Sequence, residues 1–164
     1  MNYFCDQHRL ASLALLLLGM AVSTTGFTES ALPPPLGDPA LIALLHKQIE
    51  PEEGVDVQSI IKSDLEASLP GEEQVVIWTL LGPSYWSNHL SVVSQRSGQW
   101  QQLATLSLDG AEATLDTVTS DGLITVNAKT AGPNDPVCCP SQVKTLQYRY
   151  AKGQLIAAST GAKP

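Results

Sequence analysis

The order of hydrophobic and polar positions divides the chain into three parts. Residues 10–22 form an almost unbroken apolar run. Between 38 and 51 the apolar residues recur at the spacing of an amphipathic helix. From Val55 onward the dominant spacing becomes two residues, which is the period of a β-strand. The pattern therefore predicts a helix followed by a β-rich domain.

The helical segment has clear signals at both ends. Leu41, Leu45 and Ile49 lie four residues apart and form one apolar stripe. Asp38 is a preferred N-cap residue, and the proline that follows it suits the first helical position. Pro51 cannot continue a helix. These signals predict a helix over about 39–49 that needs an apolar surface to cover its stripe.

The strands are predicted from β-branched and alternating segments. Gln74–Leu81 is an apolar run, which predicts a strand buried on both faces. The pattern at about 55–65 is looser and fits either a strand or a short helix. Further strands are predicted at about 87–95, 100–106, 113–115, 124–129 and 145–150.

Glycine-containing dipeptides separate these strands. They are Ser97-Gly98, Asp109-Gly110, Asp121-Gly122 and Lys152-Gly153. Such pairs supply the positive φ angles of tight hairpin turns. We therefore expect an α+β fold, in which an N-terminal amphipathic helix packs on a curved antiparallel β-meander of six to seven strands. A small β-barrel is the alternative.

The apolar run near the start has the organisation of a secretory signal peptide. A short opening that contains Arg9 precedes the run, and Ser23–Gly26 follow it as small and polar residues. Cleavage after Ser23 and cleavage after Gly26 both fit this pattern. The run is shorter than the ~20 apolar residues that cross a bilayer, so we predict removal of residues 1–26, with an uncleaved anchor as the alternative.

This prediction sets the compartment and the domain boundaries. We expect an exported protein, periplasmic or secreted, with no membrane span after cleavage. Residues 27–37 contain three consecutive prolines and are predicted to form an extended leader. The remaining length suits one domain at 38–160.

Charge limits the class of partner. The chain has a formal net charge of −7 at pH 7. Nucleic-acid binding needs clustered lysine and arginine, so nucleic acid is excluded as the expected partner. The partner we expect is an unknown envelope or extracellular ligand.

Two adjacent cysteines mark a proline-rich loop at Gly132–Ser141. Cys138 and Cys139 are the only cysteines after the predicted signal peptide. Adjacent Cα atoms lie about 3.8 Å apart, below the roughly 4.4–6.8 Å of ordinary disulfides, so bonding them closes a strained ring. Loop-closure entropy contributes only about 1 kcal/mol to such a bond. A disulfide here would therefore fix the shape of the loop, or switch it, without stapling the fold.

Three roles remain open for this loop: a structural turn, a thiol-redox site or a metal site. Its candidate residues also include Asp135, Pro136 and Pro140. The structural turn is the favoured role, and the lability of strained disulfides is the ground for the redox role. Tetrahedral zinc needs four ligands, and only His46 and His89 remain as imidazoles in the domain. We expect His89 to be solvated on the polar side of its strand and His46 to be a boundary residue near the C-terminus of the helix, and we assign no metal ligand.

The same segment carries a resemblance. Asp135–Ser141, followed by Tyr148-Arg149-Tyr150 and Gly153-Gln154-Leu155, resembles a motif of uncharacterised bacterial exported proteins. Those proteins have Asp-Pro-x-Cys-Cys-Pro, a Tyr-Arg-Tyr-like strand and a glycine turn at the C-terminal end of a β-rich domain. The resemblance covers about 60–156 loosely and 132–155 well. It implies a bacterial envelope protein and carries over no catalytic residue.

The remaining candidate chemistry is aromatic. Tyr85 and Trp86 lie in a predicted loop, where aromatic side chains bind sugars or peptides. The alternative is that they only shape a turn, while Trp78 and Trp100 pack in the core. Gly-x-Ser-x-Gly, P-loop, Gly-x-Gly-x-x-Gly and EF-hand patterns are missing from the sequence, so we assign no catalytic residue and no cofactor.

Two functions follow from these observations. The first is an exported, non-enzymatic binding or envelope-interaction module of unknown ligand. The second is a thiol-redox protein that uses Cys138 and Cys139. Replacing both cysteines by serine distinguishes them, because only the redox function requires the thiols.

Overall fold

The computed structural model describes residues 36–65, 71–136 and 139–158. The predicted signal peptide at 1–26 and almost all of the predicted leader lie outside the described residues. Cys138 also lies outside them, and so does the question of whether the two adjacent cysteines are bonded.

The predicted helix is present but short. Helix α1 spans Pro39–His46. The Asp38 carboxylate accepts a hydrogen bond from the N–H of Ala40 at 2.8 Å, which confirms Asp38 as the N-cap. The prediction that the helix reaches about residue 49 is wrong. The backbone N–H of Lys47 already bonds to the carbonyl of Leu44, three residues earlier, and this tighter turn ends the helix before Pro51.

The strands form two separate antiparallel sheets. Sheet 1 has the order β1-β2-β3-β4, and sheet 2 has the order β5-β6-β7-β8. The bounds are β1 Gly54–Ser63, β2 Glu72–Leu81, β3 Trp86–Arg96, β4 Gln99–Leu108, β5 Ala111–Val118, β6 Leu123–Thr130, β7 Gln142–Ala151 and β8 Gln154–Ala157. The predicted fold class, one curved meander of six to seven strands with an N-terminal helix, is therefore wrong.

The chain leaves sheet 1 at a corner of two residues, Asp109-Gly110. The Asp-Gly pair predicts a hairpin, but β4 and β5 do not pair. Gly110 has a φ of 99°, and a Cβ atom there would collide with the carbonyl oxygen of Lys129 in β6. Its own carbonyl accepts a hydrogen bond from the Asn88 side chain of β3 at 2.9 Å. The glycine thus lets the chain cross tightly from one sheet to the other.

The other predicted hairpins are confirmed. Ser97-Gly98 joins β3 to β4, and Lys152-Gly153 joins β7 to β8, with positive φ at both residues of each pair. Asp121-Gly122 lies in the connection between β5 and β6, which the N–H of Thr119 closes by bonding to the carbonyl of Leu123 at 2.9 Å. Local turn chemistry therefore specifies three of the connections.

The two sheets pack face to face around the larger core. Its fully or almost fully buried members from sheet 1 are Val75, Ile77, Leu90, Val92 and Leu108, and those from sheet 2 are Ala113, Ile124, Val126, Ala128 and Tyr150. β1 lies beside β5, and β4 lies beside β8. No strand ladder joins the two sheets in the part of the chain that the structure describes, so the alternative of one closed barrel is also wrong.

Helix α1 covers the outer face of sheet 1. Leu41 and Leu45 are fully buried there against Val76 and Trp78 of β2. β2 is therefore covered on one face by the helix and on the other by sheet 2, which confirms the prediction of a strand buried on both faces. The result is a helix layer and two sheet layers. Among the described residues, no helix has the length and hydropathy that a membrane span needs.

Candidate binding site at one end of the sandwich

The candidate site lies where the two sheets end together. At this end β2 finishes at Leu81, β3 begins at Trp86, and β4 finishes at Leu108. Register places Leu81 opposite Trp86 and Asn88 opposite Leu108. We call this end of the sandwich the mouth.

The two-residue alternation of side chains along β3 places the indole of Trp86 at the mouth. Leu90 and Val92 of β3 belong to the core between the sheets. Asn88 and Trp86 precede Leu90 at two-residue steps and therefore share its face. Trp86 lies beyond the closed part of the core and is 52% exposed. The indole thus faces the space between the sheets while remaining open to solvent.

Two grooves open at the mouth, and Trp86 and Asn88 line both of them. The larger groove, of about 420 Å³, is bounded by Trp86, Ser87, Asn88, Leu108, Asp109, Gly110, Thr130, Ala131 and Pro140. The smaller groove, of about 340 Å³, is bounded by Asp56, Gln58, Thr79, Leu81, Trp86, Asn88, Ala111, Glu112 and Ala113. Trp86 therefore borders two concave surfaces at this end of the sandwich.

A buried amide fixes the floor between the grooves. Asn88 is only 3% exposed. Its Oδ1 accepts a hydrogen bond from the Thr79 hydroxyl at 2.8 Å, and its Nδ2 donates to the Gly110 carbonyl at 2.9 Å. One side chain thus connects β2, β3 and the corner. Such satisfied buried groups hold a surface in one geometry.

Tyr85, which the sequence pairs with Trp86, lies outside the mouth. Its ring packs over Gly82, where an added Cβ would collide with it, and its hydroxyl donates to the Glu53 carboxylate. That hydrogen bond lowers the pKa of Glu53 and raises the pKa of Tyr85. Tyr85 is 52% exposed but lines neither groove. The two predicted binding aromatics are therefore separated.

The loop between β6 and β7 is closed at its base by Asp135. The Asp135 carboxylate accepts the N–H of Gly132 at 2.7 Å, the N–H of Ser141 at 2.7 Å and the Ser141 hydroxyl at 2.8 Å. These bonds, led by the one from Gly132, lower the pKa of Asp135. Asp135 therefore joins the two ends of the loop, which is a structural role for this predicted residue. We call residues 131–141 the cysteine loop.

The cysteine loop borders the mouth through one proline. Pro140 lines the larger groove together with Trp86. Pro136 is exposed, and its carbonyl accepts the backbone N–H of Cys139 at 3.0 Å. Cys139 is exposed. The structure thus brings two predicted groups, Trp86 and the cysteine loop, to the same end of the sandwich.

Carboxylates line the grooves, and the sequence analysis did not identify them. Asp109 lines the larger groove, and Asp56 and Glu112 line the smaller one. No lysine, arginine or histidine is among the described residues that bound either groove. Asp109 was visible in the sequence only as a turn residue, and Asp56 only as a polar position of an uncertain segment.

The two histidines of the domain lie at separate places in the structure. His46 is exposed in the last turn of α1. His89 is half-buried, contrary to its expected surface position, and it stacks on Trp78 with ring centroids 4.4 Å apart. Burial lowers the pKa of His89. Within the described ranges, no group of three or more His, Cys, Asp or Glu side chains is arranged to hold a metal ion.

Comparison with known proteins adds no assignment. Neither the protein-family models nor the curated proteins gave a match to this chain.

Proposed function

We propose that this chain is an exported, non-enzymatic binding module and that its ligand site is the mouth of the sandwich. One observation carries the proposal: the mouth exposes the indole of Trp86 in a concave surface that the cysteine loop also borders. Concave sites with an aromatic side chain and a few fixed polar groups are the usual ligand sites of proteins.

Two features support binding at this place. The satisfied bonds of Asn88 give the floor one geometry, so the free protein needs little reorganisation before a ligand enters. The Asp135 carboxylate holds the base of the adjacent loop closed. A preformed site of this kind loses less conformational entropy on binding than a mobile one.

One pair on β3 has the elements of nucleophilic catalysis, but its surroundings do not support that function. The Ser87 hydroxyl lies 2.8 Å from Nε2 of His89. A catalytic pair also needs a group that orients the imidazole. Among the described residues, His89 instead stacks on Trp78, and no carboxylate bonds to its ring. We therefore favour binding over hydrolysis.

Export is the part of the proposal that rests on sequence. The apolar run at 10–22 and the resemblance of the cysteine loop to a motif of bacterial exported proteins support it. The intact mass of secreted protein tests it. Loss of about the first 26 residues is expected, and secreted protein that retains the full-length mass would contradict cleavage.

The ligand site is tested through the three indole N–H signals in the NMR spectrum of the full chain. Trp86→Phe identifies the Trp86 signal. A panel of peptides and oligosaccharides is then screened for compounds that shift it. Trp100 is the internal control, because its Nε1 donates to Asp38 beside the helix at 3.3 Å, away from the mouth. A ligand at the mouth shifts the Trp86 signal and leaves that of Trp100 in place.

The opposite result is equally clear. If ligands shift the Trp100 signal and not that of Trp86, the binding surface lies at the helix and the proposal fails. If no compound shifts the Trp86 signal and none binds by calorimetry, the mouth is not a binding site for these classes.

Thiol-redox chemistry is the second candidate, and the exposure of Cys139 favours it. A thiol that exchanges with a partner disulfide must be accessible. Reduction of a model disulfide substrate by the full chain, compared with its Cys138→Ser/Cys139→Ser variant, tests this function. Equal rates for the two proteins would exclude it.

A further inference from the structure

The electrostatic surroundings of Trp86 select among ligand classes. Asp109 lines the larger groove together with Trp86, and Asp56 lines the smaller groove together with Trp86. Asp109 makes no ion pair in the described part of the chain. The face of a tryptophan ring attracts a cation, and nearby carboxylates strengthen that attraction.

The negative charge continues around the outside of the mouth. Glu50, Glu52 and Glu53 form the turn beside Tyr85. The hydrogen bond from Tyr85 to Glu53 is the main cause that raises the pKa of the Tyr85 hydroxyl, followed by burial and then by the charges of the three carboxylates. These three glutamates place negative charge beside Tyr85. The whole chain has the same sign of charge, with a net value of −7.

From this charge complementarity we propose that the mouth binds a lysine or arginine side chain of a partner polypeptide in its larger groove, held against the indole of Trp86 and beside the carboxylate of Asp109. The inference rests on the proposed function and adds the chemical class of the ligand. A neutral oligosaccharide would stack on the indole but would gain little from the surrounding negative charge. An acidic ligand would be repelled.

The test uses three probes with the full chain. They are a hexa-arginine peptide, a hexa-glutamate peptide and a neutral hexasaccharide, each titrated by calorimetry at low and at physiological salt. We expect hexa-arginine to bind, with an affinity that falls as salt rises. Hexa-glutamate is not expected to bind.

Two variants distinguish binding of the peptide at the mouth from its attraction to the net charge of the whole chain. Trp86→Ala is expected to weaken hexa-arginine binding about tenfold, which is the order of a partly desolvated cation–π contact. Asp109→Asn is expected to weaken it about threefold. Asp116→Asn is the matched control, because Asp116 is exposed on β5 and lines neither groove. Circular dichroism confirms that each variant is folded.

The outcomes are distinguishable. Equal losses for Asp109→Asn and Asp116→Asn, or no loss for Trp86→Ala, would show that only the net charge attracts the peptide and would overturn the inference. Binding of the hexasaccharide that depends on Trp86, without binding of hexa-arginine, would overturn the ligand class and leave the mouth as the site. If none of the three probes binds in a way that depends on Trp86, this result would count against the proposed function as well.

Discussion

The corner at Asp109-Gly110 provides a strong test of the fold, because one glycine sets the point at which the chain leaves sheet 1. Gly110 has a φ of 99°, a region that side chains rarely adopt. An added Cβ would also collide with the Lys129 carbonyl oxygen and approach Cγ2 of Thr130 to 3.4 Å. We therefore expect Gly110→Ala to reduce the free energy of unfolding through two separate effects.

The magnitudes of these effects come from strain and from steric overlap. A positive φ at a residue with a Cβ costs about 1–2 kcal/mol. Displacing backbone to relieve the overlap adds about 1–3 kcal/mol. Gly98 provides the matched control, because its φ is 76° and a Cβ there would meet nothing within 4 Å. Gly98→Ala should show only the first effect.

Urea unfolding of the full chain measures the difference. For a domain whose unfolding free energy falls by about 2 kcal/mol per molar urea, an extra loss of 2 kcal/mol moves the midpoint by about 1 M. The midpoint of Gly110→Ala should therefore lie clearly below that of Gly98→Ala. Equal midpoints for the two variants would refute the close approach between the corner and β6.

Three further predictions concern the surroundings of the mouth. Asn88→Ala leaves the Thr79 hydroxyl and the Gly110 carbonyl without their buried partner, so unfolding in urea should show a loss of about 1–3 kcal/mol; an unchanged midpoint would contradict the buried floor. Asp135→Ala should speed amide hydrogen exchange at Gly132 and Ser141, because both N–H groups lose their acceptor. In the unmodified protein the protection of these two amides should persist above about pH 4 and fall as the pH drops through the lowered pKa of Asp135. Unchanged exchange in the variant would exclude the role of Asp135 in joining the two ends of the loop. Burial lowers the pKa of His89, so the unfolded chain binds a proton at this residue more tightly than the folded chain does. The free energy of unfolding should therefore be highest above about pH 6.5 and decrease as the pH falls below that value. His89→Phe should flatten this pH dependence in urea titrations, and an identical dependence in the variant would contradict the prediction.

Local chemistry explains the elements that the sequence predicts correctly. The carboxylate of Asp38 bonds to the helix it precedes, and Ser97-Gly98 adopts the positive φ angles that a hairpin turn requires. Each signal acts within a few residues of itself. The both-face burial of β2 was also predictable, because Gln74–Leu81 lacks the polar alternation of a strand with one wet face.

The two-sheet arrangement cannot be inferred from signals that act only within a few residues. Asp109-Gly110 and Asp121-Gly122 are the same dipeptide, yet one crosses between sheets and the other lies in a hairpin connection. Both glycines pack against backbone that is distant in the sequence, Gly110 against Lys129 and Gly122 against Tyr150, so the difference lies in whether the flanking strands pair with each other. A prediction that treats each Asp-Gly pair alike therefore produces one continuous meander.

Only part of the site could be predicted from the sequence, for the same reason. Trp86 and Pro140 were each chosen from local composition, but their meeting at one groove depends on both sheets ending together. Asn88 was overlooked because an asparagine on a strand usually faces solvent, whereas here it is 3% exposed. Of the lining carboxylates, Asp56 lies on β1 and Glu112 on β5, which only the sandwich brings side by side, and Asp109 lies at the corner.

The measurement that tests the account most directly asks whether Trp86 and the cysteine loop share one end of the sandwich. A nitroxide spin label is attached to the exposed Cys139 in a Cys5→Ser/Cys138→Ser variant, and its paramagnetic broadening of the indole N–H signals is recorded. The structure predicts strong broadening for Trp86, which borders the same groove as Pro140, and weaker broadening for Trp100 near the start of β4. Broadening of Trp100 that equals or exceeds that of Trp86 would contradict the shared site.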